Sequence, residues 1–201
     1  MVLESRATER LGPRLKKETA ALHRRIEEGL GLVDAGLSVE RYRRLLESFL
    51  GYFVPVESRI AELASSAPPL GLELPARTPL LVKDLMALGA SASDIAAVPQ
   101  CTDLPRLVEP ANLAGCLYVL EGSRLGGVIV ARELERSLGL GSHGAAFFVG
   151  DGENVARRFK RVLSWLDEVA RAGAAPDVIV ASACETFRTL SRWTEARGAW
   201  R

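Results

Sequence analysis

Cysteine is scarce in this chain and histidine scarcer: 201 residues carry three of one and two of the other. Cys101, Cys116 and Cys184 are widely spaced, odd in number and free of any C-x-x-C pair, which argues against a disulfide framework or a zinc ribbon and fits a reducing cytoplasm. Net charge is nearly absent as well. Lys and Arg total 26 against 25 Asp and Glu, a formal charge of +1, so no global field points to nucleic acid or to an acidic membrane surface. The N-terminal stretch MVLESRATERLGPRLKKETA has no apolar signal-peptide core, and no later segment reads as an uninterrupted membrane-spanning run. The expectation is a cytoplasmic protein with neither a nucleic acid nor a membrane as partner. Internal repeats, low-complexity tracts and sustained strand-period alternation are lacking too.

What is present is helical periodicity. Leu11, Leu15, Leu22, Ile26 and Leu30 mark an amphipathic helix over 9–30. Ser38 and Glu40 open a second, with Tyr42, Leu45, Leu46, Phe49 and Phe53 at helical spacing, a bend expected at Pro55 and an end near Leu63. Four prolines make 65–79 a connecting loop. A short helix follows in LLVKDLMALG, and Ser91 or Ser93 caps another that ends near Pro99. The longest pattern, 111–138, is interrupted by glycines, and 139–153 reads as a loop. Two further amphipathic helices cover 154–171 and 176–196, the last opening on Pro176 and Asp177. The fold class is all-α, with about seven helices in one domain of 1–201 whose N-terminus, 1–8, is flexible.

With two histidines, metal chemistry can be tested by counting. Neither His23 nor His143 stands in Glu-x-x-His or H-E-x-x-H, which removes a di-iron carboxylate bundle and a zincin. A site with one imidazole remains, and haem supplies its own four in-plane ligands. His23 shares a helix face with Lys16, Thr19, Ala20 and Glu27. Lys16 lies two turns away, roughly 10 Å along the axis, so one helix can set an imidazole under an iron and a cation near a propionate. Glu27 can accept the proton of the other ring nitrogen and fix the tautomer. Beside Arg24 and Arg25, however, His23 taken alone reads more readily as a surface or boundary residue, and this helix alone does not decide.

The second constellation is a cost without an evident return. Gly122, Gly126 and Gly127 sit inside the longest helix, where each is about 1 kcal/mol worse than alanine. Either another helix approaches closely, with Gly115 on nearly the same side, or a flat ligand presses on bare backbone where the helix kinks. A distal face of glycine offers no strong acid of the kind that promotes O–O cleavage in peroxidases. It crowds bound oxygen toward a ring carbon, while Ser123 can hold a water that donates a hydrogen bond. His143, in GSHGA, reads as a loop residue, and Cys184 beside Glu185 as a core thiol or as a nucleophile and acid pair.

LKKETAALHRRIE at 15–27, YVLEGSRLGG at 118–127 and AFFVGDGENVARRFK at 146–160 resemble, in this order, stretches of the haem oxygenase family, specifically its bacterial, biliverdin-producing branch associated with phytochromes. The likeness runs over about 11–196. It implies an all-α haem oxygenase bundle in which haem is both substrate and cofactor, opened with O2 and external electrons to biliverdin, iron and carbon monoxide. It implies His23 as iron ligand, Lys16 as a propionate partner, Glu27 as the acid after the histidine, and Gly122, Ser123, Gly126 and Gly127 as the distal face. Lys160, with Arg157 and Arg161, would meet the propionates, and Phe187 would line the pocket. Two departures stand out: Ser123 occupies a position where many members have a carboxylate, and Leu117 one where a tyrosine often assists propionate binding, with Tyr118 adjacent. No flavin or nicotinamide motif is present, so electrons must come from a ferredoxin or a reductase, and a bacterial phytochrome is the expected recipient of biliverdin. A haem carrier or sensor without turnover is the competing expectation on the same fold.

Overall fold

The computed structural model describes residues 10–34, 36–64, 67, 73, 75–150 and 154–201. Among these there are eight helices and no strand: α1 Leu11–Leu30, α2 Val39–Ala64, α3 Thr78–Ala87, α4 Ala92–Ala96, α5 Pro110–Leu138, α6 Ala146–Val149, α7 Val155–Arg171 and α8 Pro176–Ala196. The expected flexible stretch 1–8 and most of the proline-rich loop 65–79 lie outside the described residues, as do 151–153 of the expected loop.

Local chemistry explains most boundaries. α1 stops at Gly31, whose φ of +52° few other residues adopt and whose N–H closes on the Glu27 carbonyl. α5 stops in the same way at Gly139, φ +69°. α3, α5 and α8 each open with proline in the first turn, where the missing N–H removes no helical bond. Of the two candidate caps for α4 it is Ser91 that acts, in a capping box with Asp94, and the helix ends at Ala96, before Pro99. Pro55 does not end α2, which stays helical to Ala64.

One element was not foreseen. Within the expected loop 139–153, residues 146–149 form α6. The buried Asp84 of α3 supplies it with acceptors, taking the N–H of Ala146 at 2.7 Å and that of Phe147 at 2.8 Å. A helix start is held here by a carboxylate more than sixty residues away, so local propensity could not announce it.

The core is a continuous cluster with Leu15, Tyr42, Leu45, Leu46, Tyr52, Leu113, Trp165 and Ile179 fully enclosed. The two buried core phenols are paired: Tyr42 donates to the Gly144 carbonyl at 2.8 Å, and Tyr52 meets the Thr189 hydroxyl at 2.8 Å. α5 is long and apolar enough to cross a membrane by length and composition, although the sequence read otherwise. Some 56% of its most apolar window is buried inside the bundle, which accounts for that apolarity.

α8 organises the molecule, packing against both α1 and α5. Gly115 of α5 lets the α8 backbone at Ile179 and Ala183 come closer than any side chain would permit. Along α1 the contacts follow in parallel order: Arg14 with Asp177, the Glu18 carbonyl with the Cys184 thiol, His23 with Phe187, and Arg25 with Glu195. Beyond α8 the chain turns at Gly198 and lays Trp200 on Gly29, with Arg25 over the indole and the Arg201 N–H on the Gly29 carbonyl.

Candidate functional site

Thr19 and Tyr118 form the joint from which the site opens. Thr19 is buried, and its hydroxyl donates to the Leu15 carbonyl of its own helix at 2.7 Å. The Tyr118 phenol of α5 hydrogen-bonds Thr19, while burial pushes its pKa up against that bond. One turn beyond Thr19 on the same face of α1 stands His23. One and two turns beyond Tyr118 on the same face of α5 stand Gly122 and Gly126. Counted from this joint, α1 carries an imidazole and α5 bare backbone within one to two helical turns.

His23 is half exposed, with its ring edge-on to the buried Phe187 of α8 at 5.7 Å between centroids. Its Nδ1 lies 3.4 Å from a Glu27 carboxylate oxygen. From there Glu27 can draw the imidazole proton to Nδ1, which would leave the Nε2 lone pair free, the arrangement a metal-bound imidazole needs. Among the described residues no three His, Cys, Asp or Glu side chains gather to hold a bare ion, so a metal here must bring its other ligands with it.

The three distal glycines divide by role. A Cβ on Gly127 would strike the Phe148 carbonyl of α6, which makes it a packing glycine like Gly115. At Gly122 a Cβ would meet the Phe159 ring of α7 at 3.2 Å, and at Gly126 it would meet nothing within 4 Å. Gly126 therefore has no packing reason to be glycine. α5 runs through all three as one helix, and none has a left-handed φ, so the anticipated interruption is absent. On the open face Leu125 and Ile129 are 43% and 65% exposed beside Gly126, an uncovered apolar strip next to bare backbone.

Ser123 can hold a water only as an acceptor. Its hydroxyl donates to the Leu120 carbonyl at 2.8 Å and accepts from Arg77 Nη1 at 3.2 Å, so no proton is left to offer. The propionate candidates also separate. Lys16 and Lys160 are exposed, and their ammonium groups have no partner among the described residues. Arg157 reaches Asn154 at 2.8 Å, and Arg161 is engaged with Glu168 at 2.7 Å. Leu117 is buried in the core, while Tyr118 is half-buried between Thr19 and the Phe159 ring. His143 is exposed in a turn.

Sequence reasoning missed Phe159, which covers Gly122 and lies 5.8 Å from the Tyr118 ring, together with Leu125, Ile129 and Arg77. Leu125 and Ile129 each follow a glycine by three residues, a spacing that could have marked them. No local pattern marks Arg77. The nucleophile reading of Cys184 fails on chemistry: burial pushes its thiol up, whereas a nucleophile needs it lowered, and the Glu185 carboxylate accepts the Arg106 N–H at 3.1 Å.

The described donor set fits haem: one imidazole with a free Nε2, a flat backbone wall flanked by apolar side chains, and unpaired cations on α1 and α7. Comparison with known proteins agrees. The heme oxygenase family model matches residues 9–196. A heme oxygenase of Xanthomonas campestris pv. campestris is 34% identical over 154 residues, which span 75% of this chain and 85% of the relative. Among solved structures, heme oxygenase-1 of the cyanobacterium Synechocystis, in complex with heme, superposes with a TM-score of 0.74 at 18% identity over 94% of this chain and 92% of that one. The heme oxygenase of Leptospira interrogans gives 0.74 at 18% identity over 94% and 100%. At that identity the likeness is one of fold.

Proposed function

The chain belongs to the haem oxygenase family and is a haem-degrading enzyme, and from that premise we propose how its residues perform the reaction. Haem is the substrate. His23 ligates the iron through Nε2, with Glu27 holding the proton on Nδ1 and Phe187 fixing the ring. Gly122 and Gly126 form the opposite wall, where bare backbone and the flanking Leu125 and Ile129 lie over the porphyrin and exclude bulk water. Lys16 and Lys160, followed by Arg157 and Arg161 once they leave their present partners, receive the propionates. Gly127 supports this wall from behind by seating α6.

The observation that carries this reading is the open backbone at Gly126 on the face that continues from the Thr19–Tyr118 joint, one turn from which His23 presents its free nitrogen. With no acid or imidazole among the described residues of the distal wall, oxygen would be activated next to a ring carbon and the ring itself oxidised, giving biliverdin, iron and carbon monoxide. A partner supplies the electrons. An acidic ferredoxin or a reductase fits the exposed cations near the cleft, and a bacterial phytochrome fits as the recipient of biliverdin. The chain works as one domain, since its first and last helices pack together, and in the cytoplasm, where its three free cysteines stay reduced.

Hemin titrated into the protein should give a saturable Soret shift that His23→Ala abolishes. Reduced ferredoxin with its reductase should then convert the complex to biliverdin. A Soret shift that His23→Ala leaves unchanged would overturn the ligand assignment. An intact haem spectrum after many reduction equivalents would overturn the assigned ring opening.

A further inference from the structure

Arg77 is a buried cation in a place where sequence offers no reason for one. Its side chain is only 5% exposed, and its guanidinium lies over the Phe147 ring at 3.8 Å and near Phe53 at 5.0 Å. Nη1 donates to the Ser123 hydroxyl at 3.2 Å and to the Leu120 carbonyl at 3.4 Å, and Nη2 to the Phe147 carbonyl at 3.5 Å. The backbone is fixed as well: the N–H groups of Arg77 and Thr78 both donate to the Glu57 carboxylate of α2. A residue just before α3 is thus pinned against α2, α5 and α6 together, with one arm of its fork on Ser123.

A hydroxyl has one proton and two acceptor positions. The Ser123 proton goes to the Leu120 carbonyl at 2.8 Å, and one acceptor position is taken by Arg77. A single acceptor position is left, on a residue that is itself exposed at the edge of the glycine wall. Among the described residues, Glu57 accepts from the two backbone N–H groups of Arg77 and Thr78, Asp84 from those of Ala146 and Phe147, and the buried Glu121 faces Arg124 and Arg158 at 3.7 Å each.

We propose that Arg77 is a positioning residue for the oxygen chemistry: through Ser123 it fixes a hydrogen-bond acceptor at the distal wall, so that a water seated there must point its second proton into the cleft. The guanidinium does not titrate at any working pH, so this orientation is permanent, unlike one imposed by a carboxylate. The inference rests on the assignment of Ser123 to the distal wall, and the test separates the two.

The C–O stretching frequency of the reduced haem complex with carbon monoxide reads hydrogen bonding and local field on the distal side, and a proton pointed at the ligand lowers it. Arg77→Met should raise the frequency, Ser123→Ala should raise it in the same direction, and the double variant should go no further than the larger single change, because the two residues act as one unit. Reductant consumed per ring opened should rise in parallel. Arg77→Gln keeps a planar amide over Phe147 but is too short to reach Ser123; it should repeat the shift, and serves as the measurement if Arg77→Met does not fold. If Ser123→Ala shifts the band and neither Arg77 variant does, Arg77 only packs, and the proposal falls while the distal wall stands. If Ser123→Ala leaves the band unmoved, Ser123 is not on the distal side, and both readings fall. Shifts that add in the double variant would also overturn action through Ser123.

Discussion

Gly126 and Gly127 are neighbours in sequence, yet alanine should affect them with opposite signs. At Gly126 an added methyl meets nothing within 4 Å, so Gly126→Ala gains the helix-interior advantage of about 1 kcal/mol over glycine. For a domain of this size that should raise the melting temperature of the haem-free protein by about 2–4 °C. At Gly127 the methyl collides with the Phe148 carbonyl, which belongs to backbone and cannot rotate aside. Overpacking of this kind costs about 1–3 kcal/mol, more than the propensity returns, so Gly127→Ala should melt several degrees lower. Haem reverses the ranking. The Gly126 methyl would stand where the porphyrin lies, and a strain of about 1–3 kcal/mol there corresponds to roughly a 5- to 150-fold weaker complex. Thermal denaturation of the haem-free protein followed by hemin titration gives both numbers. A Gly126→Ala protein that is more stable and still binds and opens haem normally would refute the glycine wall as the haem seat. One that is less stable would refute the open space itself.

Other outcomes follow from the same geometry. Glu27→Gln should leave haem bound but shift the reduction potential upward, because a weaker acceptor on Nδ1 makes the imidazole a poorer donor; an unchanged potential would remove Glu27 from the site. Phe159→Ala should uncover Gly122 and speed hemin association, which stopped-flow absorbance reads directly; an unaltered rate would mean that the ring does not obstruct the cleft. Asp84→Asn replaces two acceptor oxygens by one and should cost about 1–3 kcal/mol by loosening α6, as measured by denaturant unfolding. Burial raises the Asp84 carboxyl above its ordinary 3.8 despite those two N–H bonds. Its contribution is therefore fully present below that unfolded value and declines as pH rises through the elevated folded one. The variant should lack that decline, and a slope identical to the parent protein would contradict the assignment.

The elements with their own periodicity or caps were legible in the sequence, because amphipathic spacing, prolines in first turns and terminal glycines act locally. α6 was not, since Asp84 creates it from a distant helix. The residues proposed to face haem divide along the same line. His23, Lys16 and Glu27 share one helix and could be related by counting, whereas the support that Phe187 gives His23 and the cover that Phe159 gives Gly122 exist only after packing. Three neighbouring glycines looked like one signal and proved to be two, one open to the ligand and one pressed on α6, with Gly122 between them under a movable ring. The role of Ser123 could not be read without Arg77, which reaches it from a loop more than forty residues earlier.

The parallel seating of α1 on α8 also sets an order of events in synthesis. The helix that carries His23, the proposed iron ligand, is made well before the face it rests on, from Asp177 to Glu195, and before the Trp200 that seats against Gly29. At about 5–20 residues per second the chain grows for about ten seconds or more before α1 has its partner, and contacts of such sequence separation close late in any case. A ribosome-bound fragment can display His23 and still have no Phe187 to fix the ring. Firm seating of haem on His23 thus waits for α8, and a shorter nascent chain is poorly suited to capture a reactive, redox-active substrate before Phe187 is in place.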